Sequence, residues 1–297
     1  MSRYSLQTFS WPSVRWKLRQ KYSEFRSLIG GGRHVWEVEP GVRFVATSGD
    51  AFSHVLYVCG GHENTEMRWC TEWLTQDDSV IDCGANIGYF SAYLAQKCHL
   101  ARIIAVEGNR RTAQTCAANL SLLGLGHVTV IEAILAENTK QALSIPDSAG
   151  REPWQSVVSI GEQTERAGTI TTTLDMLVEK HRLAPALVKI DCEGFEPFIL
   201  RGATRLLSEI RPAFMIECND QALLAVNTRR EELFSVLRNH DYQLFHLASF
   251  DGYRPFGIPC DESFPSQEFN FAAIPGDVRS LEKWRKATAC LSQESSK

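Results

Sequence analysis

The sequence predicts an α/β fold, a parallel sheet with helices on both faces. Three observations carry that prediction. From residue 79 onward, short apolar runs alternate with helical segments, the pattern of strands joined by crossover helices. One of these strands, within Val80–Ser91, runs into a glycine-rich turn and then a helix. The composition, 297 residues with 44% hydrophobic and 22% charged, is that of a globular chain and excludes collagen, fibres and wholesale disorder.

The elements follow in chain order. Val14, Leu18, Tyr22, Phe25 and Ile29 recur at helical spacing with a cationic opposite face, which predicts a surface helix over 13–29. It either packs on the body of the protein or makes weak peripheral contact with a membrane or partner. Val35–Val38 and Val42–Thr47, split by Pro40-Gly41, read as a hairpin. Val80–Asp82 is a short buried strand, followed by a helix over Tyr89–Lys97, a strand at Ile103–Val106 and a helix over 110–123 that Gly124 and Gly126 end. Further strands are expected at Val128–Ile131, Ala186–Ile190, Ala213–Glu217, Gln243–His246 and Phe269–Ile274. A helix near 229–239 starts with Thr228 and Glu231 at the spacing of a capping box.

Two insertions interrupt the alternation. Residues 136–172 contain Pro146, Gly150, Pro153 and Trp154; residues 248–268 contain Phe250, Tyr253, Pro255, Phe256, Pro259 and Phe264. Loops of this length following core strands are candidates for a substrate lid.

Charge and cysteine usage narrow the class. The net charge is −4, but residues 1–35 hold seven basic side chains against the single acid Glu24. The acidic remainder speaks against a nucleic-acid groove. The nine cysteines are scattered without a C-x-x-C pair, which reads as reduced thiols and no zinc site. No apolar run approaches the roughly 18 residues of a membrane span, and the first residues show no signal-peptide core. The expected location is cytoplasmic.

The segment Asp82-Cys83-Gly84-Ala85-Asn86-Ile87-Gly88 is the strongest signal. Gly84 and Gly88 permit a tight turn and close approach of a ligand, and the helix that follows offers free N–H groups. An acid at the strand end does not suit a pyrophosphate. It suits a cationic ammonium, as in the methionine portion of S-adenosylmethionine (SAM). Glu107, nineteen residues after Gly88 at the end of the next strand, can accept hydrogen bonds from ribose hydroxyls in either SAM or NAD proteins. Asn86 stands where the dinucleotide fingerprint has its second glycine, so SAM is favoured over NAD.

Asp82-x-Gly-Ala-Asn-x-Gly88, Val106-Glu107, Thr173-Leu174-Asp175, Val188-Lys189-Ile190-Asp191-Cys192-Glu193-Gly194, Ile216-Glu217 and Asn270–Pro275 follow one another along the chain. On these motifs the chain resembles FkbM-type SAM-dependent methyltransferases from about Tyr57 to Pro275. Gly108 departs from the proline common there. The resemblance implies a Rossmann-like, seven-stranded class I methyltransferase sheet whose last strand is antiparallel. It also implies SAM as methyl donor and O-methylation of a sugar, glycan or secondary metabolite. On this reading residues 1–56 form a basic helix and hairpin extension, 57–277 the methyltransferase domain, and 278–297 a helical or disordered tail. The other functions in play are an NAD-dependent oxidoreductase and a non-catalytic SAM-binding protein. Oligomeric state is left open.

Asp82, Gly84, Asn86, Gly88 and Glu107 are thus the expected cofactor residues. A hydroxyl acceptor also needs a proton acceptor. Asp191, Glu193 and Glu217, at the ends of the fourth and fifth strands, are the candidates. Each has an alternative: Asp191 and Glu193 could cap the helix near Glu196, Lys189 could neutralise a neighbouring carboxylate, and Glu217 could be structural. Asp191 with Glu217, Asn219 or Asp220 offers oxygen ligands for Mg²⁺; a divalent metal is considered but not favoured.

Other motifs fail. His62-Glu63-Asn64-Thr65-Glu66 lacks the second histidine of a zinc protease helix. Pro259-Cys260 falls after the wrong strand for a cytosine methyltransferase, and no Asn/Asp-Pro-Pro-aromatic run follows strand four. The sequon at Asn119 lies in an expected helix.

Overall fold

The computed structural model describes residues 32–47, 52–53, 56, 64–140, 143–144, 159–160, 170–249 and 256–294. The periodic segment 13–29, His62-Glu63, and Pro146, Gly150, Pro153, Trp154, Phe250, Tyr253 and Pro255 of the insertions lie outside them. The chain divides into two compact units, 1–63 and 64–297.

In the first unit, β1 (Arg33–Glu39) and β2 (Val42–Thr47) form an antiparallel hairpin. Gly41 turns the chain at φ +80°, and its N–H donates to Glu37 Oε1 at 2.9 Å. Trp36 and Phe44, paired across the hairpin, meet edge to face at 6.1 Å.

The second unit contains, in order, α1 (Asn64–Trp73), β3 (Ser79–Cys83), α2 (Tyr89–Lys97), β4 (Arg102–Glu107), α3 (Arg110–Leu122), β5 (Thr129–Leu135), the short pair β6 (Leu143–Ser144) and β7 (Ser159–Ile160), β8 (Ile170–Thr172), α4 (Leu174–His181), β9 (Leu187–Ile190) and α5 (Glu196–Arg201). After a π-helical turn at Leu206–Ile210 come β10 (Ala213–Asn219), α6 (Asp220–Ala225), α7 (Arg230–Arg238), β11 (Tyr242–Ser249), β12 (Glu268–Pro275) and α8 (Val278–Glu294).

Eight strands form the main sheet in the order β11-β12-β10-β9-β3-β4-β5-β8. The ladders are parallel from β10 through β8, while β12 runs antiparallel to both β10 and β11. All five residues of β3 and all four of β9 are buried, as expected of parallel strands covered on both faces. The seven expected strands are present, and the eighth is β8. It is a three-residue edge strand pairing Ile170–Thr172 with Ala133–Leu135, too short and too exposed to leave a periodic signal. The sheet's faces hold the core, which includes Phe195, Phe214, Phe234 and Phe271. Burying each such ring contributes about 1.5–3 kcal/mol.

The helix at 230–238 starts differently from the expected capping box. Its cap is Arg229, without a side-chain hydrogen bond. The N–H of Thr228 instead closes the preceding turn on Leu223 O at 3.0 Å, and its Oγ1 is buried without a partner among the described residues. Helix α8 belongs to the second unit; its Trp284 packs 5.5 Å from Trp69 and 4.7 Å from Phe245. Among the described residues no helix is long and apolar enough to cross a membrane.

Candidate functional site

The chain leaves β3 towards β4 on one side of the sheet, while β9 flanks β3 on the other. Such a switch point opens a crevice beyond the carboxyl ends of the strands. Gly84 follows β3 at this point and Asp191 follows β9. The two touch: a Cβ on Gly84 would stand 1.9 Å from the Asp191 carbonyl oxygen, and Gly84 holds φ +78°. Only glycine fits there.

The turn from Gly84 to Gly88 is fastened on several sides. The N–H groups of Gly84 and Ala85 both donate to Val106 O at 3.0 Å, and Gly88 N–H donates to Ala85 O at 2.9 Å. Asn86 adopts a left-handed φ of 49°, which asparagine tolerates. Its N–H donates to Glu107 Oε2 at 2.9 Å, while Glu107 Oε1 accepts from Asn109 N–H at 2.8 Å. Glu107 therefore ties the turn to the start of α3. Each of its oxygens keeps a further lone pair. Asn119 of α3 donates from Nδ2 to Ile87 O at 3.0 Å; the asparagine of the sequon is a buried clasp on the loop.

Asp82 is 0% exposed. Its Oδ2 accepts from Ser91 Oγ at 2.6 Å, and Oδ1 is buried without a partner among the described residues. Burial raises its pKa, against the pull of Lys189. Lys189 pairs with Asp82 in the β3–β9 register, is 5% exposed, and donates from Nζ to Asp191 Oδ2 at 2.7 Å. The suggested neutralising role of Lys189 is thus realised on Asp191.

Asp191, Glu193 and Glu217 come together at the carboxyl edge. Neither Asp191 nor Glu193 caps α5, whose cap is Phe195 without a side-chain hydrogen bond. Glu196 does the structural work: its Oε1 accepts from Cys192 N–H at 2.9 Å and Gly194 N–H at 3.2 Å. Glu193 sits in the left-handed region at φ 53°, an uncommon backbone for a non-glycine residue. Glu217 stands opposite Asn270 of β12, and its Oε2 is buried without a partner among the described residues.

This edge is crowded with acid. Burial foremost, then Asp191, Glu196 and Glu268, push the Glu193 carboxyl up to about 8. Burial raises Glu196 to about 7. Burial and then Asp191 and Glu193 lift Glu217 well above the carboxylate range, and burial followed by Asp191 raises Glu268. Sequence reasoning missed Glu196, Glu268 and Ser91. Glu196 had a signal, three residues beyond Glu193 in the same turn; Glu268 had none, since a single acid before an apolar strand marks nothing.

Two of the oxygens considered for a metal are otherwise engaged. Asn219 Oδ1 caps α6 through Gln221 and Ala222 N–H. Asp220 takes a two-pronged contact from Arg230 at 2.8 and 2.5 Å. Among the described residues no group of three or more His, Cys, Asp or Glu side chains is arranged to hold a metal ion.

Residues 82–244 match the family described as methyltransferase FkbM domain. No curated protein matches the chain. Among solved structures, methyltransferase FkbM from Methylobacillus flagellatus KT is similar at 20% identity and a TM-score of 0.44, over 67% of this chain and 44% of that one. The chain thus spans less than half of that protein. Precorrin-6y C5,15-methyltransferase from Geobacter metallireducens GS-15 is similar at 16% identity and a TM-score of 0.40, over 72% of this chain and 89% of that one. A SAM-dependent O-methyltransferase from Thermotoga maritima is similar at 14% identity and a TM-score of 0.40, over 72% and 65%.

Proposed function

The chain belongs to the FkbM methyltransferase family, and from that premise we propose that it transfers a methyl group from SAM to a hydroxyl of a sugar, glycan or secondary metabolite. The observation that carries this reading is the contact of Gly84 with the Asp191 backbone. It brings the glycine-rich loop and the acidic strand end into one crevice, as in-line transfer between two bound molecules requires.

The residues suit SAM. Glu107 is held by two backbone N–H groups and keeps lone pairs for the ribose hydroxyls. Gly84, Asn86 and Gly88 shape a loop without bulk. Asp82 contributes negative charge beneath that loop, its Oδ1 unpartnered among the described residues. Bound there, SAM supplies a methyl group already activated by its sulfonium, so the chain's own task is alignment and proton removal.

Asp191 takes the proton. Its Oδ2 is engaged by Lys189, which holds the carboxylate in place and leaves Oδ1 to accept from the acceptor hydroxyl. Glu193 and Glu217 complete the acidic wall. The seven cysteines whose side chains are described are free thiols, in keeping with the cytoplasmic setting proposed here.

Calorimetric titration with SAM, S-adenosylhomocysteine and NAD tests the cofactor, and release of S-adenosylhomocysteine across a panel of hydroxyl compounds tests the reaction. Binding of NAD in preference to SAM would overturn the proposal.

A further inference from the structure

The acidic edge holds more carboxyl groups than one proton transfer needs. Glu193 comes from the turn between β9 and α5, and Glu196 opens α5. Glu217 follows Ile216, which pairs with Ile190, so it stands beside Asp191; Glu268 opens β12 opposite Asn219. The titratable groups facing them are Asp191, Lys189 and Cys192 from the end of β9 and Cys218 from β10. Lys189 is the cation acting on Glu193, and its ammonium is already paired with Asp191.

Two oxygens of the cluster are buried without a hydrogen-bond partner among the described residues. Glu196 is 1% exposed. With Oε1 on the N–H groups of Cys192 and Gly194, its carboxyl group is turned back into the turn that carries Asp191 and Glu193. Its Oε2 is buried without a partner among the described residues, as is Oε2 of Glu217. A buried carboxylate oxygen without a donor is costly when ionised. It is stable when protonated or when a cation arrives. Glu193, Glu196 and Glu268 each act on Glu217, and carboxyl groups that act on one another titrate as a set.

We propose that Glu193, Glu196, Glu217 and Glu268 form a charge-sensing site that gives up protons when the cationic sulfonium of SAM enters the crevice and retains them when the neutral thioether of S-adenosylhomocysteine is bound. This rests on the SAM reading above. The Gly84–Asp191 contact supports it, because a ligand on the glycine-rich loop lies next to the strand end where the cluster begins.

The sensing fits the charge balance of transfer. The acceptor oxygen forms its bond to the methyl carbon, the C–S electron pair stays on sulfur, and the acceptor's proton passes to the acidic edge. A positive charge leaves sulfur as a proton arrives on carboxylate. The cluster is thus offset by a cation before transfer and by a proton after it.

The test is calorimetric titration of the full chain with SAM and with S-adenosylhomocysteine at pH 7.5, in phosphate and in Tris. The two buffers differ in ionisation enthalpy, so the comparison reads protons exchanged per ligand. SAM is expected to release more protons than S-adenosylhomocysteine, by several tenths to about one per site. Its affinity relative to S-adenosylhomocysteine should rise with pH by up to about tenfold per unit. The ligands' own amino groups titrate equally in wild type and variants, so the decisive quantity is the change in this difference in Glu217→Gln and in Glu268→Gln, where it should shrink. Glu268, partly exposed at the edge of its strand, tolerates the change should Glu217→Gln unfold. Equal proton counts for the two ligands, or a difference that survives unchanged in both variants, overturn the charge sensing while leaving the SAM reading intact. If neither ligand binds, the SAM reading falls and takes this inference with it.

Discussion

At Gly84 there is no space for a side chain, because the Asp191 carbonyl occupies the place of a Cβ. Gly84→Ala should therefore cost about 1–3 kcal/mol from the left-handed backbone alone and shift the cofactor loop. Denaturant unfolding alongside SAM titration measures both effects. Asp191→Asn separates chemistry from structure. The variant keeps its volume and loses its basicity, so turnover should fall about 10²–10⁴-fold, while the amide oxygen still accepts from Lys189 and the fold persists at a lower melting temperature. Near-full turnover would move the base to Glu193 or Glu217. Glu107→Gln probes the ribose: the amide can still accept one of the two backbone donors from Asn86 and Asn109. SAM binding should weaken while the fold persists, and unchanged affinity would refute the ribose role.

Elements are fixed by a few side chains at their ends. Asn109 caps α3 by accepting from the N–H groups of Arg111 and Thr112, and its own N–H holds Glu107. Asn109→Ala should cost about 1 kcal/mol and weaken SAM binding through the loosened Glu107. Arg230 of α7 secures the chain between β11 and β12. Besides Asp220, it donates to Phe264 O and Ser266 O, both at 2.6 Å. Arg230→Met leaves Asp220 without its cation and should cost about 3 kcal/mol, the low end for breaking a buried pair because Asp220 is partly exposed. Protease cutting within 256–267 should accelerate in the variant. Stability and cutting rate equal to wild type would show that the segment is held by other contacts.

Across the whole molecule, SAM at one hundred times its Kd should stabilise the fold by about 2.7 kcal/mol, and NAD should not. The acidic edge also sets a pH dependence. Glu193 is raised to about 8 and Glu196 to about 7, whereas the unfolded chain releases these protons near 4.5. Between those values the native state binds more protons than the unfolded one, so stability falls as pH rises. The contribution of these two groups is complete below about pH 4.5 and is lost through pH 7 to 8. Melting temperatures measured from pH 5 to 8.5 should decline, and Glu196→Gln should flatten the slope. A slope identical to wild type would show that Glu196 does not hold the proton.

The local pattern of the chain determined the sheet, because a strand buried on both faces must be a short and mostly apolar run, as Val80-Ile81 and Leu187-Val188 are. It also determined the glycine loop, since positive φ at Gly84 and Gly88 leaves its mark in residue type. The same pattern misplaced the cap of α7, where Thr228 closes the preceding turn, and passed over β8, whose three residues pair only because β5 is beside them. Tertiary structure alone decided how the carboxyl groups divide their work. Glu193 and Glu196 are neighbours in sequence, yet one is strained and partly exposed while the other is buried and holds the turn. Glu268 joins them from a strand more than seventy residues away. Burial and the approach of like charges raise their proton affinity, and both arise only when β9, β10 and β12 lie side by side.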